Sequence, residues 1–517
     1  MTHPSHFARI QPDKVAYRMA RSGETLTYAQ LDKLSNQGAQ AFRSLGVSMG
    51  DNIAFLFENR LDFVALTWAA QRSGVFYTPI SHHLTASEIA YIVRDCEAKV
   101  VVISDTFAQI LPELRAACPK PRFFVSGKVA DASLDWQALQ ASVPTDRIAD
   151  EAAGADLLYS SGTTGRPKGV TRVFDKAPVE TVIPALMTVL CQNMAGMDSD
   201  TIYLSPVPLY HAAPLRTSMM AVMLGGCSIV MEKFDAKECL ALIERWHVTH
   251  AQFVPTMFIR MLKLPDDTRL KYDHSSLKIA FHAAAPCPRD VKAKMIEWWG
   301  PVLLEYYAGS EANGVTLTTS ADWARHPGTV GRSLVGRIVV VDDDGNELPS
   351  GRIGRIYFDS GINFAYRNDP DKTREAYLRP GCSTIGEIGY VDEEGFLFLT
   401  DRAAYTIISG GVNIYPQEIE DLLGSHPDVA DVAVFGVPNE EMGEEVKAVV
   451  QLEPGVAADP AKAKELTDWC RGRLSHLKTP RSIDFNQSLP RTPTGKLIKR
   501  TLKDQYWRDA GKVASKT

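Results

Sequence analysis

The stretch that most constrains this chain is residues 159–170, Tyr-Ser-Ser-Gly-Thr-Thr-Gly-Arg-Pro-Lys-Gly-Val. It follows an apolar run, residues 155–159, that predicts a buried strand. Glycines let a backbone turn tightly and bring its N–H groups close to an anion, and Lys168 adds a compact charge suited to phosphate oxygens. The hydroxyl groups and glycines of this loop are Ser161, Gly162, Thr163, Thr164 and Gly165. The sequence therefore predicts a phosphate-binding loop after a strand.

This loop differs from the P-loop of nucleoside triphosphatases. That motif ends in Gly-Lys-[Ser/Thr] and opens a helix, whereas here Pro167 precedes Lys168 and Gly169-Val170 follow it. Proline fixes its own φ and pushes Arg166 out of the helical region. We therefore expect a loop between two strands. The alternative is a polar hairpin that binds no ligand.

The first 150 residues alternate between strand and helix signals. Thr27 with Gln30, and Thr85 with Glu88, form capping boxes at the starts of two predicted helices. Predicted strands cover residues 53–57, 75–80 and 100–103, with an apolar helix over 61–70. This alternation predicts a layered α/β domain with a largely parallel sheet. At 517 residues the chain is too long for one core, so we expect two or more domains.

Composition excludes several classes of protein. The net charge of −6 argues against nucleic acid as the main partner, because no basic excess exists to neutralise phosphates. The eight cysteines are scattered without a CxxC pair, which is typical of buried thiols in a reducing compartment. Residues 1–13 contain no apolar signal region, and no run is long enough to span a bilayer. We expect a cytoplasmic protein.

Other residues carry little information when each is taken alone. His211, Glu311 and Lys496 would by themselves be structural or solvated groups. The adjacent His82 and His83 are expected at the surface. Residues 279–286, Ile-Ala-Phe-His-Ala-Ala-Ala-Pro, predict a strand that runs into a loop of small side chains. Such a loop lets a flat ring approach the backbone, although tight strand packing would explain it equally well.

Residues 159–170 closely resemble the signature loop of the adenylate-forming (acyl-activating) enzymes, which include acyl-CoA synthetases, aryl-CoA ligases, peptide-synthetase adenylation domains and luciferases. Residues 305–311, 386–392, 407–416 and 489–496 resemble further motifs of that family. The resemblance implies an α/β fold with a large N-terminal domain of layered α/β subdomains plus a β-rich subdomain, residues 1–401. A small mobile C-terminal α/β domain, residues 402–517, would follow it.

The resemblance also implies a nucleotide site. Its adenine and phosphate contacts would come from Ala284, Ala285, Pro286, Tyr307 and Ser310, and its ribose contacts from Glu387 and Arg402. Glu311 and Thr164 would hold Mg²⁺, which prefers hard oxygen ligands. The chain departs from the family pattern at Ala308, where Gly is usual, at Glu387, where Asp is usual, and at Ala404, where Asp or Lys is usual.

Three further roles follow from the same resemblance. His211 would border and gate the acyl site. Lys496 would assist adenylate formation together with Lys168. The hairpin with Gly410 and Gly411 would admit the thin pantetheine arm of a thiol. The small domain would rotate about residues 401–404 to exchange Lys496 for this hairpin between the two half-reactions.

The implied activity is the ATP-dependent conversion of a hydrophobic monocarboxylic acid to an acyl-adenylate, followed by transfer to coenzyme A. The products are acyl-CoA, AMP and pyrophosphate, with ATP, Mg²⁺ and CoA as cofactors or co-substrates. One alternative is a stand-alone adenylation enzyme that loads a carrier-protein thiol, and a second is an inactive nucleotide-binding homologue. We expect small-molecule partners and a monomer or homodimer.

Overall fold

The computed structural model describes residues 2–160, 167–171, 176–181, 185–402, 405–409, 412–491 and 497–509, with the backbone alone for Ser160, Asp401, Arg402 and Asp509. The chain divides into two compact units. Unit 1 comprises Met1–His282, Val302–Leu304 and Phe364–Thr373, and unit 2 comprises Ala283–Pro301, Glu305–Asn363 and Arg374–Thr517.

Unit 1 contains a five-stranded parallel sheet with helices between its strands. Its strand order is Arg122–Ser126, Ala98–Ser104, Asn52–Leu56, Phe76–Ile80 and Ala155–Asp156. Its helices include Tyr28–Ser44, Leu61–Arg72, Ala86–Asp95, Leu111–Ala117 and Trp136–Ala141. Both predicted capping boxes are present, with reciprocal hydrogen bonds at Thr27 and Gln30 and at Thr85 and Glu88. The predicted parallel α/β layering is confirmed.

A second sheet of unit 1 is parallel except at one edge. Its order is Ile279–His282, His250–Phe253, Ile202–Ser205, Cys227–Val230, Val15–Met19 and the antiparallel Thr25–Thr27. Its helices are Pro4–Ile10, Ala212–Met223, Ala236–Trp246, Pro255–Leu262 and Asp266–Arg269. Ala185–Met187 is a single helical turn that continues as a π-helix, Thr188–Met194.

A small antiparallel sheet of unit 1 has the order Tyr159–Ser160, Lys168–Thr171, Ala365–Tyr366. The two strands predicted to flank the loop are thus present, while residues 161–166 between them lie outside the described residues. The single buried strand predicted over residues 155–159 is wrong. Ala155–Asp156 pairs with the five-stranded sheet and Tyr159–Ser160 with the small sheet, because the chain changes sheets at the buried Leu157 and Leu158.

Unit 2 is rich in antiparallel strands. The strand Leu303–Ala308 begins in unit 1 and continues in unit 2, where Val315–Thr319 pairs with Arg332–Ser333. A separate sheet contains Arg337–Val341, Gly354–Asp359, Tyr377–Arg379, Cys382–Ser383, Glu387–Val391 and Leu397–Arg402. Its helices are Arg289–Trp299 and Ser320–Arg325, and the helix Pro370–Glu375 begins in unit 1 and ends in unit 2.

The C-terminal part of unit 2, from residue 405, is called the lid below. Its sheet contains Ile407–Ser409, Val412–Ile414, Val429–Asn439, Gly443–Leu452 and Ser482–Phe485, and its helices are Pro416–Gly424, Pro460–Arg471 and Lys499–Asp509. Asp459 caps the second helix by accepting the N–H of Lys462, with proline at the first helical position. Ile407, Ile414, Ile419 and Val434 are among the buried residues of its core.

All eight cysteines are free thiols, and most of them are buried. Burial raises the pKa of the Cys191 thiol to about 12, which makes it a poor nucleophile. No helix among the described residues combines the length and apolar composition needed to cross a bilayer.

Candidate active site

Lys168 lies on the middle strand of the small sheet in unit 1. Its register partner is Ser160, and the next pair along the chain is Gly169 with Tyr159. On the other side of this strand, Val170 pairs with Tyr366. The Nζ atom of half-buried Lys168 is 5.0 Å from the centre of the Tyr366 ring, within the range of a cation–π contact. Lys168 is thus paired directly with one neighbouring strand, and its own strand is paired with a second one at Val170 and Thr171.

Side chains distant in sequence hold this hairpin against the rest of unit 1. The hydroxyl of Tyr159 donates to the Asp95 carboxylate at 2.6 Å. Arg367 donates from Nε to the carbonyl of Asp95 at 2.6 Å and from its backbone N–H to the carbonyl of Gly169 at 2.8 Å. A Cβ at Gly169 would lie 2.9 Å from the Tyr159 ring, so the close approach requires glycine.

The loop residues predicted to contact phosphate lie outside the described residues. They are Ser161, Gly162, Thr163, Thr164 and Gly165, and their roles stay predictions.

His211 lies at the N-terminal end of the helix Ala212–Met223 and is half-buried. Its ring centre is 4.4 Å from that of Tyr210, and the ring of His82 packs edge-on against Tyr210 at 5.3 Å. His82 is half-buried and also stacks on Phe107, whereas His83 is exposed. The surface prediction thus holds for His83 only. Although the His83 side chain is exposed, partial desolvation of its ring and the neighbouring His82 lower its pKa.

The helix Pro255–Leu262 buries its apolar face in unit 1. Met257, Phe258 and Met261 are all within the core, and the Phe258 ring lies 5.4 Å from that of His282. The face of this helix that packs in the core is therefore apolar, and it contacts the ring of the buried His282.

Ala284 in unit 2 has an unusual backbone conformation. Its φ is +76°, in the left-handed region that costs a residue with a Cβ about 1–2 kcal/mol. Ala284 and Pro286 are exposed and Ala285 is half-buried, in the loop between the strand Ile279–His282 and the helix Arg289–Trp299. Strain of this kind is found where a surrounding structure holds a functional loop in place.

The segment that follows the strand Leu303–Ala308 contains the predicted metal ligand. Glu311 is buried with 8% exposure, and a Cβ at Gly309 would lie 2.6 Å from its Oε2. Tyr307 is half-buried and stacks on Phe358 at 6.1 Å, and Ser310 is also half-buried. A buried carboxylate is a hard oxygen donor, so this residue fits Mg²⁺.

A buried ion pair lies between these two segments of unit 2. Lys292, on the helix after the Ala284 loop, pairs with Glu305, on the strand that leads to Tyr307. Burial raises the pKa of Glu305, and the Lys292 ammonium opposes that shift. Sequence reasoning missed this pair. Its signal was a lysine at helical spacing from the buried Met295 and Trp299.

The predicted ribose ligands are paired in the β-rich sheet of unit 2. Glu387 and Arg402 are register partners in the antiparallel strands Glu387–Val391 and Leu397–Arg402. Glu387 is buried with 7% exposure. This pairing places the backbones of the two residues side by side in the sheet. Ala404 lies outside the described residues.

The lid contains two segments with predicted roles, residues 410–411 and 492–496. For both, the structure describes only the residues on either side. Ser409 pairs with Val412 on either side of Gly410 and Gly411, which lie outside the described residues. Lys496 also lies outside them, in residues 492–496, and the described residues on either side, Arg491 and Leu497, form a β-bridge. Arg491 donates from Nε to Asp431 at 2.5 Å and makes a second contact with the same carboxylate through Nη2.

Comparison with known proteins identifies the family. The family model for "AMP-binding enzyme" matches residues 5–365, and the model for "AMP-binding enzyme C-terminal domain" matches residues 418–496. The chain therefore belongs to the AMP-binding, adenylate-forming enzymes, as the motifs predicted.

Several of the individual relatives are carboxylic acid–CoA ligases, and one, ScoC of Streptomyces coeruleorubidus, is a fatty acid–[acyl-carrier-protein] ligase that is 30% identical over 95% of this chain and 93% of that protein. The chain is 31% identical to long-chain-fatty-acid–CoA ligase FadD13 of Mycobacterium tuberculosis, over 96% of this chain and 97% of that protein. It is also 31% identical to a feruloyl-CoA synthase of Amycolatopsis sp, over 97% and 98%. Its fold matches ATP-bound MatB from Rhodopseudomonas palustris with a TM-score of 0.82 and 29% identity, over 98% and 99% of the two chains. The predicted fold class is confirmed, and carrier-protein loading is not favoured.

Proposed function

We propose that this protein is an AMP-forming acid–thiol ligase that activates a hydrophobic monocarboxylic acid with ATP and transfers the acyl group to CoA. The main support for the proposal is that both family models match this one chain, the AMP-binding model first and the C-terminal-domain model after it. The names of FadD13 and the feruloyl-CoA synthase support CoA as the thiol and either an aliphatic or an aryl acid.

The first half-reaction joins the acid to AMP. A carboxylate oxygen attacks the α-phosphorus of ATP, the new acyl–phosphate bond forms, and the bond to the β-phosphate breaks to release pyrophosphate. Negative charge accumulates on the phosphate oxygens, so positive groups fixed around them lower the barrier. Lys168, Lys496 and the N–H groups of residues 161–165 are proposed for that role. Mg²⁺, held by Glu311 and Thr164, would neutralise phosphate charge.

The nucleotide is proposed to bind through residues of unit 2. Ala284, Ala285, Pro286 and Tyr307 would surround adenine, because small side chains and an aromatic face suit a flat ring. Ser310 would donate to phosphate. Glu387 and Arg402 would bind the ribose, and their register pairing supports this assignment.

The second half-reaction transfers the acyl group to sulfur. The thiol sulfur attacks the acyl carbonyl, the C–S bond forms, the C–O bond to AMP breaks, and the thiol proton leaves to solvent. The hairpin with Gly410 and Gly411 is proposed to admit the thiol after the lid turns about residues 401–404, with the domain boundary at 401/402. His211 would gate the acyl site, and buried Met257, Phe258 and Met261 support an apolar acid.

Lys496→Ala tests the assignment because it separates the half-reactions. We expect acid-dependent ATP–pyrophosphate exchange to fall by about 10²- to 10³-fold, as for other lost transition-state donors. Transfer from supplied acyl-adenylate to CoA should survive. The matched control is Lys464→Ala, which removes an exposed lid lysine paired with Asp468 on its own helix.

A panel of acids that differ in chain length and ring content, assayed with CoA as the only thiol, identifies the substrate class. Acyl-CoA formation would support the proposal. ATP–pyrophosphate exchange without acyl-CoA formation would point to a carrier-protein thiol. No ATP–pyrophosphate exchange with any acid would point to an inactive homologue. Equal loss of both half-reactions in Lys496→Ala would contradict the role of that lysine.

A further inference from the structure

Glu444 is buried where three elements of the lid meet. It lies near the start of the strand Gly443–Leu452 and is 9% exposed. Its Oε2 accepts the backbone N–H of Ile408 at 3.2 Å, and its Oε1 accepts from Lys503 Nζ at 3.2 Å. A carboxylate removed from water requires such partners, because an unpaired buried charge is strongly destabilising. Each oxygen therefore joins a different element to this strand.

The fold leaves space for this carboxylate at Gly436. A Cβ at Gly436 would lie 2.3 Å from Glu444 Oε2 and 3.1 Å from Ile407 Cγ2. Trp507 Nε1 donates to the carbonyl of Gly436 at 3.0 Å, and Lys503 Nζ lies 5.3 Å from the Trp507 ring. Besides the three elements joined by its two oxygens, a fourth, the strand Val429–Asn439, thus borders the carboxylate at Gly436.

The bond to Ile408 supports the base of the glycine hairpin. Among the described residues, one register pair, Ser409 with Gly443, joins the strand Ile407–Ser409 to Gly443–Leu452. The side chain of Glu444 adds a second attachment by accepting the N–H of Ile408. This attachment lies on the strand that leads directly into residues 410 and 411.

We propose that Glu444 is a positioning residue for acyl transfer to the thiol, acting through the backbone N–H of Ile408. The inference rests on the proposed function. Lys503 compensates the carboxylate charge and holds Oε1, which leaves Oε2 directed to the hairpin strand. Because a displacement of about 1 Å in a reacting group can cost orders of magnitude in rate, loosening the hairpin base slows the second half-reaction more than the first.

The test is Glu444→Gln with Lys447→Met as its matched control. Glutamine can accept from Ile408 only by turning its amide N–H₂ towards the Lys503 ammonium, so one attachment is lost. Lys447 is on the same strand and is similarly buried, and its Nζ lies 3.0 Å from Asp484 Oδ2 and 3.1 Å from Ser482 Oγ, away from the hairpin.

We expect Glu444→Gln to lower the rate of acyl transfer from supplied acyl-adenylate to saturating CoA about tenfold. Pyrophosphate exchange should change by less than about twofold. Lys447→Met should leave both rates within about twofold, and thermal midpoints measured for both variants separate stability from positioning.

Gly436→Ala provides a second variant that keeps every charge. Its φ lies outside the left-handed region, so alanine is compatible with the backbone, but the new Cβ must displace the Glu444 carboxylate. The same selective loss of acyl transfer would support the inference even where Glu444→Gln fails to fold. Equal losses in both half-reactions, or no loss, would overturn it. A wild-type protein that forms acyl-adenylate without transferring it to CoA would instead refute the proposed function and this inference with it.

Discussion

The segment that contains Lys168 and the residues on either side of 492–496 are attached to the rest of the protein in different ways. In unit 1, Lys168 is part of a strand with register partners on both sides, Tyr159–Ser160 and Ala365–Tyr366. In the lid, among the described residues on either side of 492–496, Arg491 bridges to Leu497, Ile498 N donates to the Pro490 carbonyl, and Arg491 pairs with Asp431 on the strand Val429–Asn439.

This difference matches the two proposed roles. A cation needed throughout the reaction is best fixed by a sheet, since several backbone hydrogen bonds must break before it moves. A cation needed for one half-reaction can lie on a segment with fewer sheet contacts, in the domain that is proposed to rotate. We therefore expect Lys168 to act in both half-reactions and Lys496 in the first alone.

The largest expected effect is that of Lys168→Ala. If Lys168 binds the phosphate as proposed, loss of its fixed positive charge should lower pyrophosphate exchange by about 10²- to 10³-fold. Unlike Lys496→Ala, it should also slow acyl transfer from supplied acyl-adenylate, because the proposed contact with the phosphate of that intermediate is lost as well. Single-turnover assays of both steps check this. Unchanged acyl transfer in Lys168→Ala would remove the contrast between the two lysines.

How far the sequence predicts these regions depends on how local the interaction is. The capping boxes at Thr27 and Thr85 are formed within four residues, so their hydrogen bonds are as predicted. The pair of Lys292 with Glu305 was missed because its partners belong to different elements. Likewise, nothing in the apolar run 155–159 indicates that the chain leaves one sheet for another. His82 packs against Tyr210, which is 128 residues away in the chain, and no local pattern predicts that contact.

The second largest effect is expected for Arg491→Gln. The guanidinium makes two contacts with the Asp431 carboxylate, and charge-assisted pairs of this geometry contribute more than single hydrogen bonds. Its loss should lower pyrophosphate exchange about 5- to 10-fold, in line with about 1–1.4 kcal/mol. Acyl transfer should change by less than about twofold.

Asp431→Asn is the matched control for Arg491→Gln, because it removes the same contact from the other partner. The two single variants and the double variant form a cycle, which should show that their effects are not additive. Additive effects, or an equal slowing of acyl transfer, would show that this ion pair does not act on the loop 492–496.

A smaller effect is expected for Tyr366→Leu. The ring faces Lys168 Nζ at 5.0 Å, and a cation–π contact at a partly exposed site contributes about 0.5–1 kcal/mol. The variant should raise the KM for ATP about 2- to 5-fold, because the ammonium becomes less well oriented. Tyr366→Phe keeps the ring and should retain wild-type values. A phenylalanine variant as impaired as the leucine variant would assign the effect to the hydroxyl group.

The smallest effect is expected for Arg367→Gln, which tests whether the sheet around Lys168 tolerates loss of a side-chain attachment. The Glu97 partner is 76% exposed, so that ion pair contributes little. The bond from the Arg367 backbone N–H to Gly169 and the Tyr159–Asp95 hydrogen bond remain in the variant. We expect both half-reaction rates to stay within about twofold, with a free energy of unfolding lower by about 1 kcal/mol. The strand of Lys168 is held by several backbone and side-chain contacts, whereas the described residues beside 492–496 include one charge-assisted pair, Arg491 with Asp431. A rate loss in Arg367→Gln as large as that in Arg491→Gln would show that both lysine-bearing segments are equally sensitive to the loss of one side-chain contact.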